Sequence, residues 1–221
     1  MPKLLLVLLF LCMLSPLAFS APGAIRCGKL VDVRSGQMLV DQTVVFDASG
    51  TITSVGSSSS TKLPDGVTAI DLSSATCLPG LIDVHTHLTA EPTNNGYAGL
   101  GISVPRETVT GVKNARLTLR AGFTTVRNVG ASGYTDVALR DGIDAGDVEG
   151  PRMRVSGPAL GITGGHCDNN LLPSEFHHKA EGVADGPWAV ISRQDRQAGN
   201  GAARLPLLRS PIHSKCWPHS S

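Results

Sequence analysis

The amino-acid sequence predicts an α/β fold in which parallel strand–helix units follow a small β-rich segment. Three observations carry this reading. Between Ala24 and Cys77, short runs rich in Val, Ile and Thr alternate with turn residues. After Pro79 the pattern becomes strand, helix, strand, helix, strand with short connections, the signature of βα units on a parallel sheet. The first of those later strands, "PGLIDVHTHL" from Pro79 to Leu88, places an aspartate and two histidines at alternate positions of an otherwise apolar run.

Residues 1–20 read as a signal peptide. Lys3 precedes an apolar run from Leu4 to Leu14, and Ala18 and Ser20 form a small-x-small pattern before Ala21. The run is shorter than the ~20 apolar residues that span a bilayer; an uncleaved anchor is the alternative. The expected location is therefore exported, periplasmic or secreted, with no membrane association after cleavage. Loss of Lys3 would change the formal net charge of +1 to neutral. A neutral chain without a dense Lys/Arg stripe offers no footprint for nucleic acid, and few aromatics offer no platform for stacking bases. Of the five cysteines, Cys27, Cys77, Cys167 and Cys216 follow the cleavage point. They are too sparse for a disulfide scaffold, and Cys27–Cys77 is the one pairing left open.

Residues 21–78 form the β-rich unit. "KLVDV", "TVVFDASGTITSVG" and "TAIDL" supply its strands, and "ASG" between Asp47 and Thr51 reads as a hairpin turn. Ser57 to Ser60 read as a polar loop. From Pro79, strands are expected over Leu81–Leu88, Phe123–Val129 and Arg152–Ser156, with helices over Pro105–Ala121 and Asp136–Ala145 ended by Gly122 and Gly146. In the first helix Val109, Val112, Ala115 and Leu119 share a face at helical spacing, which is expected to be buried. Residues 157–188 read as a Gly-rich loop. From residue 191 to 221 neither period persists and Arg, Ser, Pro and Gly crowd together, so a non-homologous, disordered tail is expected.

On a strand, alternate side chains share a face and their Cα atoms lie ~6.6 Å apart. Asp83, His85 and His87 would project together, leaving Ile82, Val84 and Leu88 to pack against helices on the other side. Two imidazoles so placed can converge on one metal ion, while Asp83, one step deeper, is better placed to orient a ligand than to bind. Two structural histidines are the alternative. Burying them with a carboxylate is costly unless they are paired or metal-bound, which favours the metal.

"CLPGLIDVHTHL" resembles the first barrel strand of the amidohydrolase superfamily, and "GKLVDVRSGQMLVDQTVVFDASGTITSVG" resembles its N-terminal β segment. With "AGFTTVRNVG" and "GPRMRVSGPALGITGGHCDNN", the chain is most similar to imidazolonepropionase-like and Xaa-Pro dipeptidase-like members. The resemblance implies an α/β fold with an incomplete TIM (β/α)₈ barrel of about three βα units over residues 79–190, preceded by a small β-sandwich segment. A complete TIM barrel typically takes ~250 residues, so the chain is expected to be C-terminally truncated and inactive alone.

The resemblance also implies a divalent metal, with Zn²⁺ the favoured ion and one or two ions in the complete site. His85 and His87 would be ligands. The family's remaining ligands, a lysine on strand four, histidines on strands five and six and an aspartate on strand eight, have no counterpart here, and no catalytic residue is assigned. Asn128 stands where many relatives carry aspartate. His166, after "GITGG", is expected to contact substrate, with Cys167 and Asp168 beside it in the same loop. "GITGG" lacks the GK[ST] of a phosphate loop. Arg127 is open between a mouth residue and an ion-pair partner, and His177 and His178 are expected in solvent. The implied activity is metal-assisted hydrolysis of a C–N bond in a small-molecule or dipeptide-like substrate. The alternative is a non-catalytic exported fragment acting as a β-rich interaction module. A metallohydrolase using HxHxD is disfavoured, because Asp83 precedes the histidines and Leu88-Thr89 follows them. The sequence leaves the oligomeric state open.

Overall fold

The structure, a computed structural model, describes residues 21–94 and 96–202. The signal peptide expected at 1–20 and the chain from 203 onward lie outside the described residues. The chain divides after Pro79 into two compact units.

The first unit is a single four-stranded sheet, one layer of the expected sandwich. Strands β1 (Gly23–Asp32), β2 (Gln37–Phe46), β3 (Ile52–Ser57) and β4 (Ile70–Cys77) lie in the order β3-β2-β1-β4. β1 is antiparallel to β2 and parallel to β4, and β2 is antiparallel to β3. The "ASG" stretch is the β2–β3 hairpin. Asp47 Oδ1 accepts the Ser49 and Thr51 amides at 2.8 and 3.0 Å, and Gly50 takes φ 81°, a conformation open to glycine. Gly28 sits at a register shift where β1 meets β4, and a Cβ there would fall 1.9 Å from the Ser73 carbonyl oxygen. Cys27 and Cys77, on these two strands, form a disulfide.

The second unit is a parallel sheet of β5 (Leu81–Thr86), β6 (Phe123–Asn128) and β7 (Arg152–Val155), in that order. After β5 come a single turn of helix, α1 (Tyr97–Leu100), and the long helix α2 (Val104–Arg120); α3 (Thr135–Ala145) joins β6 to β7. Proline in the first turn of α2, with Glu107 at its start and Arg120 at its end, suits the helix dipole. α3 stops at Gly146, whose φ of 83° lets its amide reach back to the Gly142 and Ile143 carbonyls. α2 packs on β6 and α3 on β7. Their core joins Leu88, Ala115, Val126, Leu139, Met153 and Val155, with Val137 and Ala202 at its edge.

Four expectations are corrected here. β5 ends at Thr86, so His87 and Leu88 lie in the turn that follows, closed by the Ala90 amide on the His87 carbonyl. Leu88 is buried, but Ile82 and Val84 are 66% and 59% exposed rather than packed against helices, because the described helices lie over β6 and β7. In α2 the buried positions are Thr110, Gly111 and Ala115, whereas Val109 and Val112 face out. Close approach sets that face: a Cβ on Gly111 would meet Thr89 Cγ2 at 2.8 Å and Leu139 Cδ2 at 2.9 Å, so small side chains are required. Finally, residues 191–199, expected to be irregular tail, continue the helix α4 (Pro187–Gly199). Its inward positions include Arg193, Gln194 and Gln197, so no apolar period marks it, and buried Gln197 donates to the Pro158 carbonyl at 2.5 Å. Among the described residues no helix is long and apolar enough to cross a membrane.

Candidate metal centre

The end of β5 and its following turn bring the two histidines together. The His85 and His87 ring centroids lie 5.4 Å apart with planes inclined at 67°. Two imidazoles bound to one tetrahedral ion at ~2.0–2.1 Å place their ring centres about 5 Å apart, so this pair has the separation of two ligands to a common ion. His85 is exposed and His87 is half-buried.

The hydrogen bonding of His87 defines its tautomer. Its Nδ1 lies 3.1 Å from the Gly130 carbonyl oxygen. A carbonyl can only accept, so Nδ1 carries the proton and Nε2 keeps the lone pair a metal requires. Burial pushes the His87 pKa below the ordinary histidine value. Repulsion from His85 and His166 adds to this, and the Gly130 bond and Asp136 oppose it. The residue is thereby held in its neutral, metal-binding form.

Asp83 turns back on its own strand, its Oδ1 accepting the His85 amide at 2.9 Å. It therefore contacts the His85 backbone rather than an imidazole. His166 is exposed on the loop after β7, within electrostatic reach of His87. Asp168 organises that loop, accepting the Gly164, Asn169 and Ala180 amides at 2.8–2.9 Å, and these bonds hold its carboxyl below the usual range. Cys167 packs its Cβ against Gly161. Arg127 is exposed; its Nε donates to the Val84 carbonyl at 2.6 Å, tying β6 to β5, and among the described residues it makes no ion pair. His177 and His178 are both exposed, the latter in contact with Asn169.

Sequence reasoning did not foresee the polar groups beneath the histidines. Asn128 and Asp136 are both 0% exposed. In the sequence Asn128 stands out only as a departure from the family pattern, and Asp136 only as the start of an expected helix.

The residues present suit two sites on an ion. Among the described residues no group of three or more His, Cys, Asp or Glu side chains is placed to hold one.

Residues 76–199 match the amidohydrolase family. Among solved structures the chain is similar to a Xaa-Pro dipeptidase with methionine bound in its active site, at 29% identity and a TM-score of 0.68, covering 82% of this chain and 45% of that one. An amidohydrolase is 31% identical with a TM-score of 0.68, over 82% and 45% of the two chains. A prolidase complexed with N-methylphosphonate-L-proline is 28% identical with a TM-score of 0.66, again over 82% and 45%. The chain thus spans less than half the length of these structures. No curated protein matches it. The family match extends over more than half of the sequence and takes in β5, α2, β6, α3 and β7, and on that ground the chain belongs to the amidohydrolase family.

Proposed function

We propose that this chain contributes the first two metal ligands, His85 and His87, to an exported amidohydrolase that cleaves C–N bonds in dipeptide-like substrates, with Zn²⁺ as the favoured ion. The observation that carries the reading is the pairing of the two rings at 5.4 Å with His87 Nδ1 engaged by Gly130. Such an ion, when bound, activates water and polarises the scissile carbonyl. The chain's own residues have narrower tasks. His85 and His87 bind, Gly130 orients His87, Asp83 steadies the His85 backbone, and His166, within electrostatic reach of His87, contacts the substrate.

The Xaa-Pro dipeptidase and the proline-analogue complex among similar structures support a dipeptide-like substrate. The Cys27–Cys77 disulfide supports an oxidising compartment, in keeping with the N-terminal apolar run. Because a catalytic zinc normally keeps three protein ligands, we expect the 221-residue chain to bind metal weakly and to show no turnover by itself.

A second reading, a β-rich interaction module, draws on the exposed apolar residues Val40, Ile52, Val55 and Ile70 of the four-stranded sheet. A Co²⁺ titration combined with an Xaa-Pro and amide hydrolysis panel separates the two. The metal reading expects a saturable visible spectrum that His87→Ala removes, without turnover. A spectrum unchanged by His85→Ala and His87→Ala would sink it and leave the interaction module.

A further inference from the structure

We propose that Asp136 is a positioning residue for the metal pair, acting through Asn128 on His87; the inference rests on the metal role of His87 given above. Two fully buried side chains form its core, each 0% exposed. Asp136 Oδ2 accepts the Ser156 amide at 3.2 Å, the Gly157 amide at 3.1 Å and Asn128 Nδ2 at 3.3 Å, while Oδ1 accepts the Val137 amide at 2.9 Å. One carboxylate thus joins the end of β7, the start of α3 and the last residue of β6.

Asn128 carries the constraint to the histidine. Its Nδ2 also donates to the Gly130 carbonyl at 3.1 Å, and its Oδ1 accepts the Leu88 amide at 2.7 Å. The Gly130 carbonyl is the same oxygen that receives His87 Nδ1–H. His87 and its neighbour Leu88 are therefore held from two directions by one amide side chain. Gly130 lies so close to the ring that a Cβ there would fall 3.2 Å from His87 Cε1 and 3.3 Å from Nδ1.

The amide can point only one way. Leu88 N–H only donates, so it must face Oδ1; Asp136 Oδ2 and the Gly130 carbonyl only accept, so they must face Nδ2. Aspartate at 128 would supply no hydrogen to Gly130 and would set two carboxyl groups against each other. Asparagine at 136 would offer one oxygen to donors that now share two. The buried carboxylate thus selects the orientation of the Asn128 amide, the amide holds the Gly130 carbonyl in place, and that carbonyl selects the tautomer that leaves His87 Nε2 bare.

The test uses the 221-residue chain and its Asp136→Asn, Asn128→Asp and doubly swapped variants, with Asp141→Asn as a control on the exposed side of α3, its side chain 61% exposed. Long-range ¹⁵N–¹H correlations of the metal-free proteins above pH 7 report the His87 tautomer, and Zn²⁺ titration reports affinity. Wild type and the control should show the Nδ1–H form. Either single variant should shift His87 toward a mixture and weaken Zn²⁺ binding by roughly 10- to 100-fold, the usual cost of losing a group that orients a metal ligand. The swap, which restores an amide–carboxylate pair but leaves position 128 without a hydrogen for the Gly130 carbonyl, should recover neither. A folded single variant with unchanged tautomer and affinity would overturn the proposal, as would unfolding of both single variants, which would mark the pair as structural only. Failure of Zn²⁺ to perturb wild-type His87, with the tautomer shift intact, would instead count against the metal role alone.

Discussion

In the four-stranded sheet the buried side chains are small, Ala24, Cys27, Thr43 and Val45, and a disulfide crosses from β1 to β4. In the βα unit Leu139, Val126, Met153 and Val155 make a continuous core beside the buried pair Asn128 and Asp136. The first unit is held by strand pairing, turns and one covalent link; the second by packing and a polar network. The lesson concerns where a functional site can be kept. A site must hold its geometry to a fraction of an ångström, and the βα unit backs His87 with satisfied buried hydrogen bonds. The sheet carries no comparable group of functional side chains.

If this contrast is right, opening the disulfide should break one unit and spare the other. The bond spans a sequence separation of 50 residues. In the chain-entropy treatment its loss costs about 4 kcal/mol, which is large for a sheet with so few buried apolar side chains. Hydrogen exchange on Cys27→Ala/Cys77→Ala should show β1 and β4 amides losing protection while β6 and β7 amides do not change. Equal loss in both units would erase the distinction.

The reverse perturbation is Leu139→Ala. Leu139 is 1% exposed at the centre of the α2–α3 packing. Truncation should cost about 3 kcal/mol, the usual range for a cavity left by a buried leucine, and should lower the βα-unit transition in a thermal melt while leaving the β1–β4 amides protected.

A smaller effect concerns pH. The His87 pKa is lowered in the folded chain, chiefly by burial. Protonation is therefore harder folded than unfolded, and the unfolded chain takes up its proton first as pH falls below the ordinary value of about 6.5. The βα unit should lose stability as pH drops from that value down through the lowered folded pKa, and be at full stability above it. His87→Asn should flatten that dependence in βα-unit melts, with the sheet's own pH response unchanged. The smallest effect is expected at Val109→Ser on the exposed face of α2, within about 0.5 kcal/mol by chemical denaturation.

Much of the first unit is readable directly because its turns are made by residues with local instructions. Asp47 and Gly50 specify their hairpin without help from the rest of the chain. The strand–helix order after Pro79 and the pairing of His85 with His87 are likewise visible as periods of two and of 3.6. What the pattern hid is set by tertiary packing. The buried face of α2 uses Thr110, Gly111 and Ala115, chosen for size rather than hydrophobicity, and α4 turns glutamine and arginine inward. Asp136 is the sharpest case. Its partners, Asn128, Ser156 and Gly157, are separated from it by 8, 20 and 21 residues, and no spacing rule connects them.

Whether His85 and His87 act as one ligand pair is decided by a Zn²⁺ titration followed through the individual imidazole resonances. His85 and His87 should move together with a single midpoint, ahead of exposed His177 and His178, with Nε2 the coordinated nitrogen of His87. Separate midpoints for His85 and His87, or a response no earlier than that of His177 and His178, would contradict the pairing.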